Sequence, residues 1–220
     1  MAIIHKVFPL VVYQGQVEGH KEFKEENLNT LKEYWFDGYK NESPEYSGRI
    51  FVHKHYPSIF QSIKKNVNEY FDTLNVDHKQ LSYHVVKSWV GVHEKNTPEL
   101  NAHNHNESNI SFVYYLNSDD TSDKFCAVQT KNSNEVVGGL FETGQRNLIK
   151  GYNNYNCNYY TFTPKEGTIL LFPSEMLHKT LKFTERRSER IVIAGDIHVT
   201  LKPNSCYHQG TTHPSQWLEM

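Results

Sequence analysis

Three histidines in the second half of the chain have a spacing that could bind a metal ion. His103 and His105 stand one residue apart in NAHNHNESNISFVYYLN, and the period of two in a β-strand would point both side chains to one face. His178 follows near the end of GTILLFPSEMLHKT. Two ligands from one strand and one from a distant strand would leave the other positions of the ion open. The sequence therefore predicts an open metal site, although histidine pairs of this spacing also occur on ordinary polar strand faces.

Arg190 is a second residue whose position suggests chemistry. It follows His178 by twelve positions and opens the alternating run RIVIAGDIHV, so its guanidinium would enter a pocket from the end of a strand. A planar, two-pronged cation in that place suits a carboxylate. Asp196 shares the side of this strand with Arg190 by the period of two. It could project into the same pocket, but we expect a capping or surface carboxylate.

Length and composition predict one β-rich domain. The chain has 220 residues, and compact all-β or mixed domains of roughly 200 to 250 residues are common. It is 37% hydrophobic, 13% aromatic and 22% charged, with 14 Tyr and 12 Phe against 3 Met. Aromatic residues favour strands over helices, so most of the core should be built from sheets.

Charge and cysteine usage exclude several classes of protein. The formal net charge is -2 with no long run of Lys or Arg, so we expect no nucleic-acid partner. Cys126, Cys157 and Cys206 are odd in number and far apart, which fits reduced thiols in a cytoplasm. The N-terminal MAIIHKVFPLVVYQGQ is interrupted by Lys and Pro and resembles neither a signal sequence nor a membrane span.

The spacing of apolar residues along the chain changes near residue 80. The segments His20–Phe36 and Ser58–Leu74 place apolar residues at helical spacing. From Leu81 onward, short β-branched and aromatic runs alternate with turn residues, as in LSYHVVKSWVGVH, SNISFVYYL, KFCAVQT, YYTFTP, GTILLFP, HKTLKF and RIVIAGDIHVTL. We therefore predict a helical support region at 1–80 and a β sandwich or barrel at 81–201, within a single domain at 1–220.

Several aromatic residues fall in predicted loops, namely Tyr152, Tyr155, Tyr159 and Trp217. They could form a lid or a homodimer contact. Aromatic residues at this density more often belong to the core, and this is the interpretation we expect.

Five stretches together resemble a known family. They are VFPLVVY, SWVGVH, HNHNESNISFVYYLN, PKEGTILLFPSEMLH and RIVIAGDI. In their order and spacing the chain resembles the 2-oxoglutarate- and Fe(II)-dependent oxygenases of the prolyl-hydroxylase-like superfamily. More narrowly, it is similar to a group of these oxygenases found in bacteria and marine phages. The resemblance spans nearly the whole chain.

The resemblance implies a fold and a set of site residues. The fold would be mainly β with N-terminal helices, a double-stranded β-helix or cupin-like jelly roll. His103, His105 and His178 match the metal ligands, and Arg190 matches the residue that pairs with the far carboxylate of 2-oxoglutarate. Tyr115 resembles a tyrosine that hydrogen-bonds the same carboxylate in animal prolyl hydroxylases, although core packing would also explain it.

Ser111 has the same strand parity as Tyr115 and is expected on the 2-oxoglutarate side with it. One departure from the pattern concerns His105, because most of the superfamily has a carboxylate at that position. Three neutral imidazoles would give the ion one anionic ligand fewer, while Fe(II) still accepts imidazole.

The implied activity is a non-haem Fe(II) dioxygenase reaction. Dioxygen and 2-oxoglutarate would be converted to carbon dioxide and succinate while a second, prime substrate is hydroxylated. That substrate, a peptide, a protein or a small molecule, is not marked by the sequence. The enzyme would work in the cytoplasm of a bacterium, or of a host cell if a phage encodes it.

Two alternatives remain open from the sequence. A cupin-like metal enzyme with three histidines would not use 2-oxoglutarate and would not need Arg190. A non-catalytic β-sandwich binding module would carry the same histidines as a polar patch.

Overall fold

A computed structural model describes residues 3, 5–7, 9–40, 51–94, 97–118, 124–141, 148–181, 189–205 and 210–220. The helices are α1 (His20–Lys40), α2 (Val52–His55) and α3 (Pro57–Thr73), with short 3-10 turns at His78–Gln80 and Pro214–Gln216. The strands are β1 (Tyr13–Gln16), β2 (Leu81–His93), β3 (Ile110–Asn117), β4 (Phe125–Val128), β5 (Tyr159–Phe162), β6 (Thr168–Pro173), β7 (His178–Thr180) and β8 (Arg190–Leu201).

The strands form two antiparallel sheets. The larger sheet has the order β1-β6-β3-β8-β2, and the smaller has the order β5-β4-β7. Neighbours in space are mostly distant in sequence, so the chain repeatedly passes from one sheet to the other. This arrangement confirms the predicted jelly roll, and it places the ends of β3, β6 and β8 around one mouth.

Strand alternation divides the larger sheet into two faces. Val192 of β8 packs toward the smaller sheet, whereas Ile191 and Ile193 pack on the opposite side. The same alternation holds along β3 and β6. The cluster between the sheets consists of Tyr115, Phe125, Leu170, Phe172, Met176 and Val192. This cluster, the inner cluster, lines the interior of the jelly roll.

The helices cover the outer face of the larger sheet. In α3 the buried side chains include Ile59, Ile63 and Val67, which lie on one face of a helix, and Pro57 opens the helix where its missing N–H costs nothing. The first helix is tied to the sheet by a hydrogen bond of 2.7 Å between His20 Nδ1 and the hydroxyl of Tyr114. These contacts cover the outer face of the larger sheet, and its inner face remains directed toward the smaller sheet.

Gly195 leaves room for the core on this outer side of β8. A Cβ built there would lie 2.6 Å from the ring of Phe112 and 2.8 Å from the carbonyl oxygen of Lys87. The backbone contact cannot move as a flexible side chain would. We expect Gly195→Ala to lower the free energy of unfolding by about 1–3 kcal/mol, measured by denaturant unfolding. Gly151→Ala, where a Cβ meets nothing within 4 Å, is the control and should change stability little.

Two expectations about the periphery can be compared with the structure. Tyr152, Tyr155, Tyr159 and Trp217 are exposed, between 44% and 55%, so the expectation that they belong to the core is wrong. Tyr159 is the first residue of the short strand β5, and Tyr152, Tyr155 and Trp217 lie outside the helices and strands. Of the three predicted free thiols, Cys126 and Cys157 are free, and Cys206 lies outside the described residues. None of the described helices is long and apolar enough to cross a membrane.

Candidate metal centre

The three histidines singled out by their spacing come together at the mouth of the jelly roll. One ligand atom from each of His103, His105 and His178 lies within 4.8 Å of the other two. The ring centroids of His103 and His178 are 4.4 Å apart, and those of His103 and His105 are 5.3 Å apart. Three imidazoles of this kind can share one ion on a single side, which leaves the other side open.

The backbone brings these residues together across a long sequence separation. His103 and His178 form an isolated antiparallel bridge, with N···O distances of 3.0 and 2.9 Å. Two residues further on, the backbone N–H of His105 donates to the carbonyl of Ser174 at 2.8 Å. The segment before β3 is thus bound to the turn between β6 and β7, and that pairing sets the imidazoles side by side.

The Nδ1 atom of every ring is already engaged. In His103 it lies 2.8 Å from the carbonyl oxygen of Asn101, and in His178 it lies 3.0 Å from that of Met176. In His105 it lies 2.6 Å from Oδ1 of Asp196. Carbonyl and carboxylate oxygens only accept, so Nδ1 is the donor in each of these contacts and Nε2 is the ring nitrogen left to bind a metal. This is the tautomer that a metal-binding imidazole needs.

His178 is held neutral by its surroundings. The residue is buried and packs against the rings of Phe125 and Phe172, with centroids 5.3 and 4.8 Å away. Burial lowers the pKa of its imidazole to about 4, because the low-dielectric pocket disfavours the charged ring. The ring is therefore available as a ligand at neutral pH without first losing a proton.

Asp196 lies in the interior rather than at the surface. Its side chain is 0% exposed, so our expectation of a capping or surface carboxylate is wrong. Strand parity turns it inward, opposite Lys87 on β2 and Ser111 on β3. Burial alone would raise the pKa of the carboxyl group, but hydrogen bonds from His105 and Ser111 outweigh it, and the pKa lies below its ordinary value.

The predicted 2-oxoglutarate residues occupy different parts of the same inner face. Arg190 is 1% exposed at the start of β8, six residues from Asp196 and on the same side of the strand. Tyr115 is also 1% exposed and belongs to the inner cluster. Ser111 lies at the histidine end, where its hydroxyl is 2.6 Å from Oδ1 of Asp196. These three assignments stay predictions.

Sequence reasoning missed the contribution of β2. A register shift between Val85 and Lys87 turns Lys87 to the same side as Asp196, and its Nζ lies 3.2 Å from Oδ2 of that carboxylate. The Trp89 ring follows on the same side, 5.7 Å from the ring of His105, and His93 pairs with Arg190 at the far end. The alternation in KSWVGVH indicated a strand with two different faces. Which of its residues point inward, however, depends on the register shift at Val86.

Comparison with known protein families agrees with this geometry. Residues 87–196, half of the chain, match the family described as "Putative 2OG-Fe(II) oxygenase". The matched region contains all three histidines and Arg190. The chain belongs to this family of 2-oxoglutarate- and Fe(II)-dependent oxygenases. A search of curated protein sequences gives no significant match.

Solved structures with the same fold share little sequence with the chain. The nickel complex of the non-heme monooxygenase ThoJ aligns with a TM-score of 0.55 and 11% identity, over 94% of this chain and 80% of ThoJ. AviO1 from Streptomyces viridochromogenes Tue57 aligns with a TM-score of 0.51 and 8% identity, over 90% and 92% of the two chains. At these identities the likeness concerns the fold alone.

Family membership decides among the interpretations that the sequence left open. The protein is an oxygenase that uses Fe(II), 2-oxoglutarate and dioxygen, and neither a cupin-like enzyme without 2-oxoglutarate nor a non-catalytic sandwich accounts for the match. The described residues suit an iron ion, since three imidazoles with protonated Nδ1 atoms present nitrogen donors that Fe(II) accepts.

Proposed function

We propose that His103, His105 and His178 bind the catalytic Fe(II) and that Arg190 binds the far carboxylate of 2-oxoglutarate. The observation that carries the proposal is the convergence of the three rings within 4.8 Å, each with its Nδ1 on an acceptor. Histidines that merely form a polar surface have no reason to converge in this way with the same ring nitrogen engaged.

The inner face of β8 suits a molecule with two polar ends and an apolar middle. Asp196 and the histidines mark one end, Arg190 marks the other, and Val192 and Ala194 lie between them on the same side of the strand. 2-Oxoglutarate has this pattern, with a 2-oxo acid, two methylene groups and a second carboxylate. Arg190 would pair with that second carboxylate through parallel hydrogen bonds, and Tyr115 would add a hydroxyl donor.

The roles of the side chains follow from their positions. Bound Fe(II) supplies the redox chemistry that couples dioxygen and 2-oxoglutarate to succinate, carbon dioxide and an oxidised product. His103, His105 and His178 would hold the ion through one ring nitrogen each. Arg190 fixes the orientation of the 2-oxo acid, and Phe125 and Phe172 keep water from the buried side of His178.

The remaining assignments concern the extent of the domain, its location in the cell and its partners. We propose that residues 1–220 act as one domain in which β1, from the N-terminal part, completes the larger sheet beside β6. The free thiols of Cys126 and Cys157 favour a cytoplasmic location.

The prime substrate, a peptide, a protein or a small molecule, would enter at the open mouth beside Trp89. The exposed aromatic side chains offer a surface for a homodimer. The formal net charge of -2 does not favour a nucleic-acid partner.

Slow turnover without a prime substrate tests the proposed site. We expect the protein, reconstituted anaerobically with Fe(II) and then exposed to air and 2-oxoglutarate, to form succinate. His103→Ala should reduce succinate to the level of free Fe(II), because the ion is no longer held. The readout is succinate measured by mass spectrometry against a sample that contains Fe(II) and no protein. Equal succinate from the wild type and His103→Ala would remove His103 from the site.

A further inference from the structure

We propose that Asp196 is a positioning residue for the metal ligand His105. Its buried carboxylate fixes the tautomer and direction of that imidazole, and it places a negative charge one ring away from the ion. The inference rests on the proposed function, since it requires that His105 binds the metal.

The geometry of the contact is specific. Oδ1 of Asp196 lies 2.6 Å from Nδ1 of His105 and 2.6 Å from the hydroxyl of Ser111. The same hydroxyl is 2.9 Å from that of Ser174, which is 2.9 Å from that of Ser108. Asp196 therefore adjoins a chain of three serine hydroxyls, of which those of Ser111 and Ser174 are buried, and the carboxylate cannot turn away from the imidazole without also losing the contact with Ser111.

The second oxygen of the carboxylate accepts no hydrogen bond but faces a cation. Lys87 Nζ lies 3.2 Å from Oδ2 of Asp196 and 3.5 Å from Oε2 of Glu107, and it approaches the ring of Trp89 at 5.9 Å. The cation compensates part of the cost of burying the carboxylate. With one oxygen facing Lys87, the other is left to orient the imidazole.

The three ligands differ in what orients them. The Nδ1 protons of His103 and His178 go to neutral main-chain carbonyls, whereas that of His105 goes to a charged side chain. A charge-assisted hydrogen bond is stronger than a neutral one, and a carboxylate behind an imidazole makes its other nitrogen a better donor to a metal. In a site of three neutral rings, Asp196 supplies the missing anion indirectly.

A double-mutant cycle separates this role from a merely structural one. In the wild-type background, Asp196→Asn should weaken binding of Mn(II), used alone as the probe, by about 10- to 100-fold. In the His105→Asp background there is no imidazole to orient, and the two carboxylates would repel each other. Asp196→Asn should then leave the affinity unchanged or increase it.

The matched control is Glu166→Gln. Glu166 also pairs with a histidine, His20, at 3.4 Å, and with Lys24 at 2.8 Å, but it lies beside α1 on the outer side of the sheet. This substitution should leave Mn(II) affinity unchanged. A loss of affinity from Asp196→Asn that is equal in both backgrounds would overturn the inference, because a structural defect would not depend on the residue at 105.

A second measurement needs no variant and no metal. The His105 ring of the metal-free wild type, recorded by long-range proton–nitrogen NMR near pH ~8, above the ordinary histidine pKa, should show the proton on Nδ1. A proton on Nε2 with none on Nδ1 would contradict the inference even if Asp196→Asn failed to fold. If the wild type bound no Mn(II), the proposed function would be contradicted. If Asp196→Asn bound Mn(II) as tightly as the wild type, only the role of Asp196 would be excluded.

Discussion

Replacement of His178 with alanine is expected to abolish stoichiometric binding of Fe(II), or of Mn(II) as an air-stable substitute. Three protein ligands are the usual minimum of an open metal site, and the two remaining imidazoles should not hold a labile ion against buffer. Metal at a hundred times its dissociation constant should stabilise the wild type by about 2.7 kcal/mol. The variant should gain nothing, and thermal unfolding with and without Mn(II) measures the difference.

The control for this substitution is another histidine of the jelly roll. His84 lies in β2, where its Nε2 is 2.9 Å from the hydroxyl of Thr200, and it is not part of the metal-binding group. His84→Ala should still take up one ion per chain. A folded His178→Ala variant that bound Mn(II) as tightly as the wild type would exclude His178 as a ligand.

Arg190→Lys is expected to weaken 2-oxoglutarate binding while the metal stays bound. Lysine keeps the charge but cannot form two parallel hydrogen bonds with a carboxylate. Each charge-assisted hydrogen bond contributes roughly 1.5–3 kcal/mol, so the affinity should fall by about ten- to a hundredfold. Calorimetric titration of the Mn(II)-loaded forms with 2-oxoglutarate under anaerobic conditions measures this loss.

The Mn(II) affinity of Arg190→Lys serves as its own control and should equal that of the wild type. Equal affinity of both forms for 2-oxoglutarate would remove Arg190 from the site. Arg186 and Arg187 would then become the candidates, although both lie outside the described residues.

The strands were the part of the fold that the sequence predicted best. β2 and β8 span the same residues as the predicted runs, Leu81–His93 and Arg190–Leu201, because alternation and turn residues mark both ends. The helix boundaries were predicted less exactly. The first helix was predicted over His20–Phe36 and spans His20–Lys40, because Gly38, which favours a helix end, lies within the last turn.

The expectation that His103 and His105 share a strand is wrong, since both lie in the segment before β3, where backbone pairing with His178 and Ser174 brings the rings together. Their spacing nevertheless made the histidine cluster predictable. The role of Asp196 was not, because it depends on the register between strands. Only the pairing of Ser111 and Lys87 with Asp196 shows that the carboxylate is buried behind His105. The sequence also gave no sign that β1 pairs with β6, because four residues such as YQGQ carry no strand pattern.

The location of the bound ion tests the account most directly. Crystals grown anaerobically with Mn(II) and 2-oxoglutarate, with diffraction recorded at the manganese absorption edge, would show the ion by its anomalous signal. We predict one ion per chain bonded to a ring nitrogen of His103, His105 and His178, at roughly the 2.1 Å of a zinc–imidazole bond, with the far carboxylate of 2-oxoglutarate at Arg190. An ion bound elsewhere, or held without His105, would contradict the account.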